Sequence, residues 1–152
     1  GERLITSKSD PVFGGVYKLV AVEKENGEIL PKIKISENAA KLTIPHFKKV
    51  YRLYENDSGK AIADLLCVYD ENTWKRKTLT DFTAKELLVP IFKNGECVYD
   101  SPSTEEIRTY CKQQVDLQWD EVKRFENPHN YYVDLSQKLW DIRQKLLSEN
   151  RK

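Results

Sequence analysis

Between Lys32 and Arg52 the chain sets six cations, Lys32, Lys34, Lys41, Lys48, Lys49 and Arg52, against a single acid, Glu37. Ammonium and guanidinium groups supply charge-assisted donors, so a convergent set of them makes an anion site for phosphate or diphosphate. The ordinary alternative is a solvated face whose charges never meet, and the sequence alone leans toward it. The run Lys48-Lys49-Val50-Tyr51-Arg52-Leu53-Tyr54 also interleaves aromatics with cations as an RNA-binding strand does, but the glycines and spacing of the RRM signature are missing. The surplus is local. Over the whole chain 25 Lys and Arg balance 24 Asp and Glu, and a net charge of +1 excludes the basic footprint of a general nucleic-acid binder.

Other chemistry is sparse. His46 and His129 each follow a proline, which puts both in turns, and neither has a carboxylate or thiol partner at a telling spacing. Nucleophile-elbow, zincin, P-loop and dinucleotide-binding patterns are missing. Paired acids such as Glu105-Glu106 and Asp120-Glu121 stand beside Lys or Arg and read as helix caps and ion-pair partners. Cys67, Cys97 and Cys111 show neither a CxxC nor a Cys/His ligand spacing, so they are expected to be reduced and mostly buried thiols. No residue of this chain is therefore assigned a catalytic or metal-binding role.

The elements that must position the basic stretch are hairpins. Val16 to Val22, the turn Glu25-Asn26-Gly27-Glu28 and Ile29 to Ile35 make the first, with Asn-Gly suited to a type I′ turn. Val50 to Tyr54 and Ala61 to Tyr69 make a second across a longer polar loop, and Leu87 to Phe92 with Cys97 to Tyr99 make a third across Asn94-Gly95. Pro90 puts that last strand at an edge or a bulge. The final third changes period. Ser103 and Glu106 form a capping box ahead of Ile107, Cys111, Val115, Trp119 and Val122, a helix that must end before Asn127-Pro128. A second helix is expected from Asp134, with Gln137 three residues on and Leu135, Leu139, Ile142 and Leu146 as its stripe. Trp119 and Trp140 are expected in the core. The class is α+β, antiparallel β-hairpins followed by two C-terminal helices.

No apolar run approaches the roughly 18 residues of a membrane span, and the N-terminus lacks the apolar core of a signal peptide, so the chain reads as cytoplasmic, without membrane or nucleic-acid partners. Methionine is absent even at position 1, which suggests a piece cut from a longer protein.

Several separate blocks, taken in order, resemble the C-terminal part of the nicotinate phosphoribosyltransferase family. They are Gly1-Glu2-Arg3-Leu4-Ile5-Thr6, Asp10 to Val20, Lys32-Ile33-Lys34-Ile35-Ser36-Glu37-Asn38 and Lys48-Lys49-Val50-Tyr51-Arg52, then Glu86 to Glu96, Asn127-Pro128-His129 and Val133 to Trp140. The resemblance implies the C-terminal portion of a type II phosphoribosyltransferase, an α/β-barrel enzyme of NAD salvage. Such an enzyme joins nicotinate and 5-phosphoribosyl 1-diphosphate into nicotinate mononucleotide with coupled ATP hydrolysis. It further implies that residues 1–12 end the barrel region, that 13–100 form a hairpin-rich β region and that 101–152 form a helical region. Gly1 matches the second glycine of a phosphate-binding turn. Glu2 stands where the family often has Thr, which leaves a backbone N–H rather than a hydroxyl for the phosphate. Lys32, Lys34, Lys48 and Arg52 complete the expected substrate-phosphate set; Lys32, Lys34, Lys41 and Lys48 match a Lys-rich family pattern, for which the resemblance leaves open a contact to substrate phosphate, a place in the subunit interface, or a role in holding the segment against the barrel. The family's phosphorylated histidine belongs to an upstream motif that neither His46 nor His129 matches. ATP and Mg2+ are expected for the intact enzyme and no cofactor for this segment alone; the expected partners are the two substrates, the remainder of the enzyme and a homodimer mate. The competing expectation is an autonomous, non-catalytic α+β interaction module.

Overall fold

The computed structural model describes residues 15–38, 41–71 and 81–150. At its centre lies a four-stranded mixed sheet of order β5-β3-β4-β8, made of β3 (Lys48–Glu55), β4 (Ala61–Val68), β5 (Phe82–Glu86) and β8 (Tyr132–Leu135). β3 and β4 form the expected second hairpin, with Arg52 directly opposite Asp64 and Lys49 opposite Cys67. A register shift between Leu53 and Tyr54 absorbs the odd residue before the loop. Cross-strand side-chain pairs are the unit of stability in such a ladder, and here Val50 lies opposite Leu66 and Tyr51 opposite Leu65.

β1 (Ala21–Glu23) and β2 (Ile29–Pro31) make a short hairpin beside the sheet. Its turn differs from the expected type. The Gly27 N–H donates to the Lys24 carbonyl at 2.9 Å, and within the turn Gly27 alone has positive φ, at 80°, whereas a type I′ turn needs two such residues. Asn26 instead uses its side chain locally, its Oδ1 accepting from the Glu28 N–H at 3.0 Å. The same dipeptide at Asn94-Gly95 does take two positive φ values, 52° and 83°, between β6 (Phe92–Lys93) and β7 (Glu96–Cys97). The expected strand from Leu87 to Phe92 is broken: Leu87 to Pro90 is irregular, and pairing resumes only beyond the proline, which has no N–H to give.

The first helix, α1 (Thr104–Asp116), starts at the expected capping box. The Glu106 N–H donates to Ser103 Oγ at 3.3 Å, and the Ser103 N–H donates back to Glu106 Oε2 at 2.7 Å. It stops earlier than the apolar period suggests, and a single turn, α2 (Asp120–Lys123), follows. The cause is tertiary. Lys60 Nζ donates to the Asp116 carbonyl at 2.7 Å and the Ala61 N–H donates to the Leu117 carbonyl at 2.9 Å, so the start of β4 takes the carbonyls that a longer helix would use.

The second helix also differs from expectation. Tyr132 to Leu135 is strand, lying parallel to β4 with Leu66 opposite Leu135, and α3 (Gln137–Asn150) begins only after Ser136. Tyr, Val and alternating polarity suit the open edge of β4 better than a helix. α3 packs on β4, and the fully buried side chains Leu139, Val68, Pro45 and Cys67 anchor the core. Trp119 and Trp140 are not core residues: 38% and 46% of their surfaces stay open. Of the three free thiols only Cys67 is buried, while Cys97 and Cys111 are exposed. Among the described residues no helix is long and apolar enough to cross a membrane.

Candidate functional site

The six cations of the basic stretch fall into two groups with different surroundings. Lys32, Lys34 and Lys41 are exposed and make no ion pair among the described residues. Lys32 and Lys34 follow β2 outside regular secondary structure, two residues apart, on either side of half-buried Ile33. Their backbones are tied down. The Lys32 N–H donates to the Val20 carbonyl at 2.8 Å and the Lys34 N–H donates to Thr43 Oγ1 at 2.9 Å.

Lys48, Lys49 and Arg52 sit on β3 and have partners within the chain. Lys48 Nζ donates to the Ile44, Pro45 and His46 carbonyls at 2.9, 3.3 and 2.7 Å. An ammonium has three N–H bonds, so this one has none to spare. Burial also lowers the Lys48 pKa from its ordinary value. Lys49 Nζ lies 3.8 Å from the Glu86 carboxylate and 4.8 Å from the centre of the Tyr69 ring, and the Tyr51 hydroxyl donates to the same Glu86 at 2.9 Å. Arg52 reaches across to Asp64, with Nε and one terminal nitrogen donating at 2.8 and 2.9 Å, and Tyr131 donates its hydroxyl to Asp64 Oδ1 at 2.9 Å. Burial alone would raise the Asp64 pKa, but the hydrogen bonds from Arg52 and Tyr131 outweigh it and hold the carboxyl below its usual range. Arg52 faces a groove of about 520 Å³ whose other wall is α1, through Ile107, Tyr110 and Val115.

Two of the six cations, Lys49 and Arg52, are thus answered by acids that lie outside the basic window. Asp64 and Glu86 are the residues that reading the sequence window missed. One signal was available: Asp64 is the lone acid in the β-rich run Ala61 to Tyr69, and hairpin pairing across the loop at Glu55 to Lys60 sets it against Arg52. Tyr131 gave no comparable signal. Gly1 and Glu2 lie outside the described residues. His46 stands in the turn that Lys48 caps, and among the described residues no group of three His, Cys, Asp or Glu side chains converges as a metal site.

The mixed sheet with hairpins and flanking helices matches the fold of part of a solved phosphoribosyltransferase. Against the crystal structure of human nicotinic acid phosphoribosyltransferase the TM-score is 0.58, with 21% identity, over 69% of this chain and 24% of that one. The family profile of the nicotinate phosphoribosyltransferase C-terminal domain matches residues 47–143, and the chain belongs to that family. It is 36% identical to nicotinate phosphoribosyltransferase of Bacillus subtilis over 98% of this chain and 33% of that protein. The corresponding enzymes of Dictyostelium discoideum and Caenorhabditis elegans are each 30% identical, over 93% and 99% of this chain and 27% and 28% of theirs. The chain therefore spans about a quarter to a third of the length of these relatives.

Proposed function

We propose that this chain serves as the C-terminal part of an enzyme that joins nicotinate to 5-phosphoribosyl 1-diphosphate, giving nicotinate mononucleotide with coupled ATP hydrolysis in the cytoplasm. The observation that carries the reading is its 36% identity to the Bacillus subtilis enzyme over 98% of the chain. In this reading residues 1–12 close the barrel region, 13–100 supply the hairpins and 101–152 supply the helices, with a second copy as homodimer mate. ATP and Mg2+ belong in this reading to the intact enzyme.

Lys32 and Lys34, like Lys41, are exposed and without an acid partner among the described residues, and these two, only two residues apart, are the ones assigned to the phosphates of 5-phosphoribosyl 1-diphosphate. Gly1 and Glu2 are proposed to add backbone N–H donors to the same phosphates. Lys48 and Arg52 serve the stretch through intrachain contacts, Lys48 having its three donors engaged and Arg52 its charge matched by Asp64. A charge-assisted phosphate contact is worth about 1.5 to 3 kcal/mol, roughly 10- to 150-fold in affinity, whereas an idle surface lysine is worth a few tenths.

The test compares the intact enzyme that carries this segment with the 152-residue chain, each supplied with nicotinate, 5-phosphoribosyl 1-diphosphate and Mg-ATP. The intact enzyme should form nicotinate mononucleotide and the chain alone should form none. Turnover by the chain alone overturns the reading, as does an intact enzyme that makes no nicotinate mononucleotide.

A further inference from the structure

His46 has φ of 79°, in the left-handed region that a residue with a Cβ seldom adopts without support. The support is visible. The Lys48 ammonium gathers three successive carbonyls, those of Ile44, Pro45 and His46, and draws the backbone into the tight curl that leaves His46 left-handed. Pro45, inside the curl, is fully buried.

The curl is stitched to the exposed lysines on both sides. The His46 N–H donates to the Val20 carbonyl at 2.8 Å, and the Lys32 N–H donates to that same carbonyl at 2.8 Å. Just before the curl, Thr43 Oγ1 accepts from the Lys34 N–H at 2.9 Å. The Lys32 N–H bond to Val20 continues the β1–β2 ladder, where Ala21 lies opposite Pro31, and shares its acceptor with the curl, whereas the Lys34 N–H is held by Thr43 and so depends on where the chain from 43 to 46 runs.

We propose that Lys48 is a positioning residue, which sets the Lys32–Lys34 segment for phosphate by fixing the Ile44-Pro45-His46 curl rather than by touching phosphate itself. The proposal rests on the assignment of phosphate contacts to Lys32 and Lys34. It separates two roles that the sequence merges, since Lys48 and Lys32 are alike in charge but, among the described residues, only Lys48 has its donors engaged.

The experiment uses the full 152-residue chain, with amide hydrogen exchange as one readout and calorimetric binding of inorganic diphosphate as the other. K48M should speed exchange at Lys32, Lys34 and His46 by roughly tenfold or more while the Leu65 and Leu66 amides of β4 keep their rates, a pattern that general loss of stability does not give. It should also weaken diphosphate binding about fivefold or more, although Lys48 offers the anion no donor. Because glycine adopts positive φ freely, H46G should reduce both effects of K48M, and the double variant keeps the test open if K48M alone does not fold. Unchanged exchange at Lys32 and Lys34 in K48M, or in K48M/H46G relative to H46G should K48M not fold, overturns the positioning role. K32Q and K34Q with unaltered diphosphate binding instead overturn the phosphate assignment, and with it the purpose given to Lys48, while leaving the exchange result to report on the curl.

Discussion

Asp64 of β4 lies directly opposite Arg52 of β3, and the two meet through parallel N–H···O bonds of 2.8 and 2.9 Å while their side chains keep only 13% and 21% of their surface open. Fork-to-carboxylate geometry of this kind fixes strand register as well as charge. Removing one partner leaves the other charge half-buried and uncompensated, which costs more than the pair itself contributes.

D64N is accordingly expected to destabilise the chain by about 3 kcal/mol, the lower end of the range for buried pairs, because some solvent screening remains. The folded-state pKa of Asp64 is depressed, so its contribution is present above the ordinary carboxylate range and is lost as pH falls below about 4. Urea midpoints of the parent chain should fall on acidification through that window. Those of D64N should fall less, and a parallel decline in both would remove Asp64 from the account.

At the alkaline end the sign reverses. Burial and then the hydrogen bond to Glu86 push Tyr51 up to about 12, and burial and then the hydrogen bond to Asp64 do the same for Tyr131. Both folded pKa values exceed the ordinary value of about 10, so the stabilisation is intact below pH 10 or so and is lost as pH rises from there toward 12. Y51F/Y131F should show a shallower alkaline loss of stability than the parent chain. Ultraviolet titration of tyrosinate in the folded protein should find two late-ionising groups that the double variant lacks.

How much of this was legible in the sequence depends on the distance over which each interaction acts. The Ser103–Glu106 box and the two Asn-Gly turns are local, and their positions were readable, although Gly27 shows that one dipeptide serves two turn types according to which residues need positive φ. The end of α1 was not readable, because its carbonyls are claimed by Lys60 and Ala61, more than fifty residues away. Tyr132 to Leu135 looked like the first turn of a helix until β4 offered it an open edge. At the candidate site the identities of the basic residues were legible, but their division was not. Lys32 and Lys34 differ from Lys48 and Arg52 only through partners supplied by folding.

The cysteines give a prediction that tests burial directly. Burial, and secondarily the nearby Glu71, raise the Cys67 thiol to about 11, so little reactive thiolate forms there near neutral pH. In the native chain a thiol reagent should label Cys97 and Cys111 quickly and Cys67 only on unfolding. Rapid modification of all three without denaturant would contradict the buried placement of Cys67.

Ser136 joins the end of β4 to the start of α3 through a single hydroxyl. Its Oγ donates to Glu71 Oε2 at 2.6 Å and accepts from the Leu139 N–H at 3.3 Å, while the same Glu71 oxygen accepts from the Val68 N–H at 3.2 Å. The side chain is 4% exposed, so water cannot readily replace it. S136A removes the acceptor at the helix start, worth about 1 kcal/mol, and strips Glu71 of a partner, so a loss of about 2 kcal/mol is expected. Gln137 is exposed one residue later, and Q137A should stay within about 0.5 kcal/mol of the parent. Because Ser136 and Glu71 share one hydrogen bond, the double variant S136A/E71A should lose less than the two single changes together, by roughly 1 kcal/mol in a double-mutant cycle. Urea unfolding of the four chains measures this. Strict additivity would mean that the hydroxyl bridge between Ser136 and Glu71 contributes nothing, leaving β4 and α3 to be joined by packing, by the Lys138–Asp70 pair and by the Ser136 N–H bond to the Leu66 carbonyl.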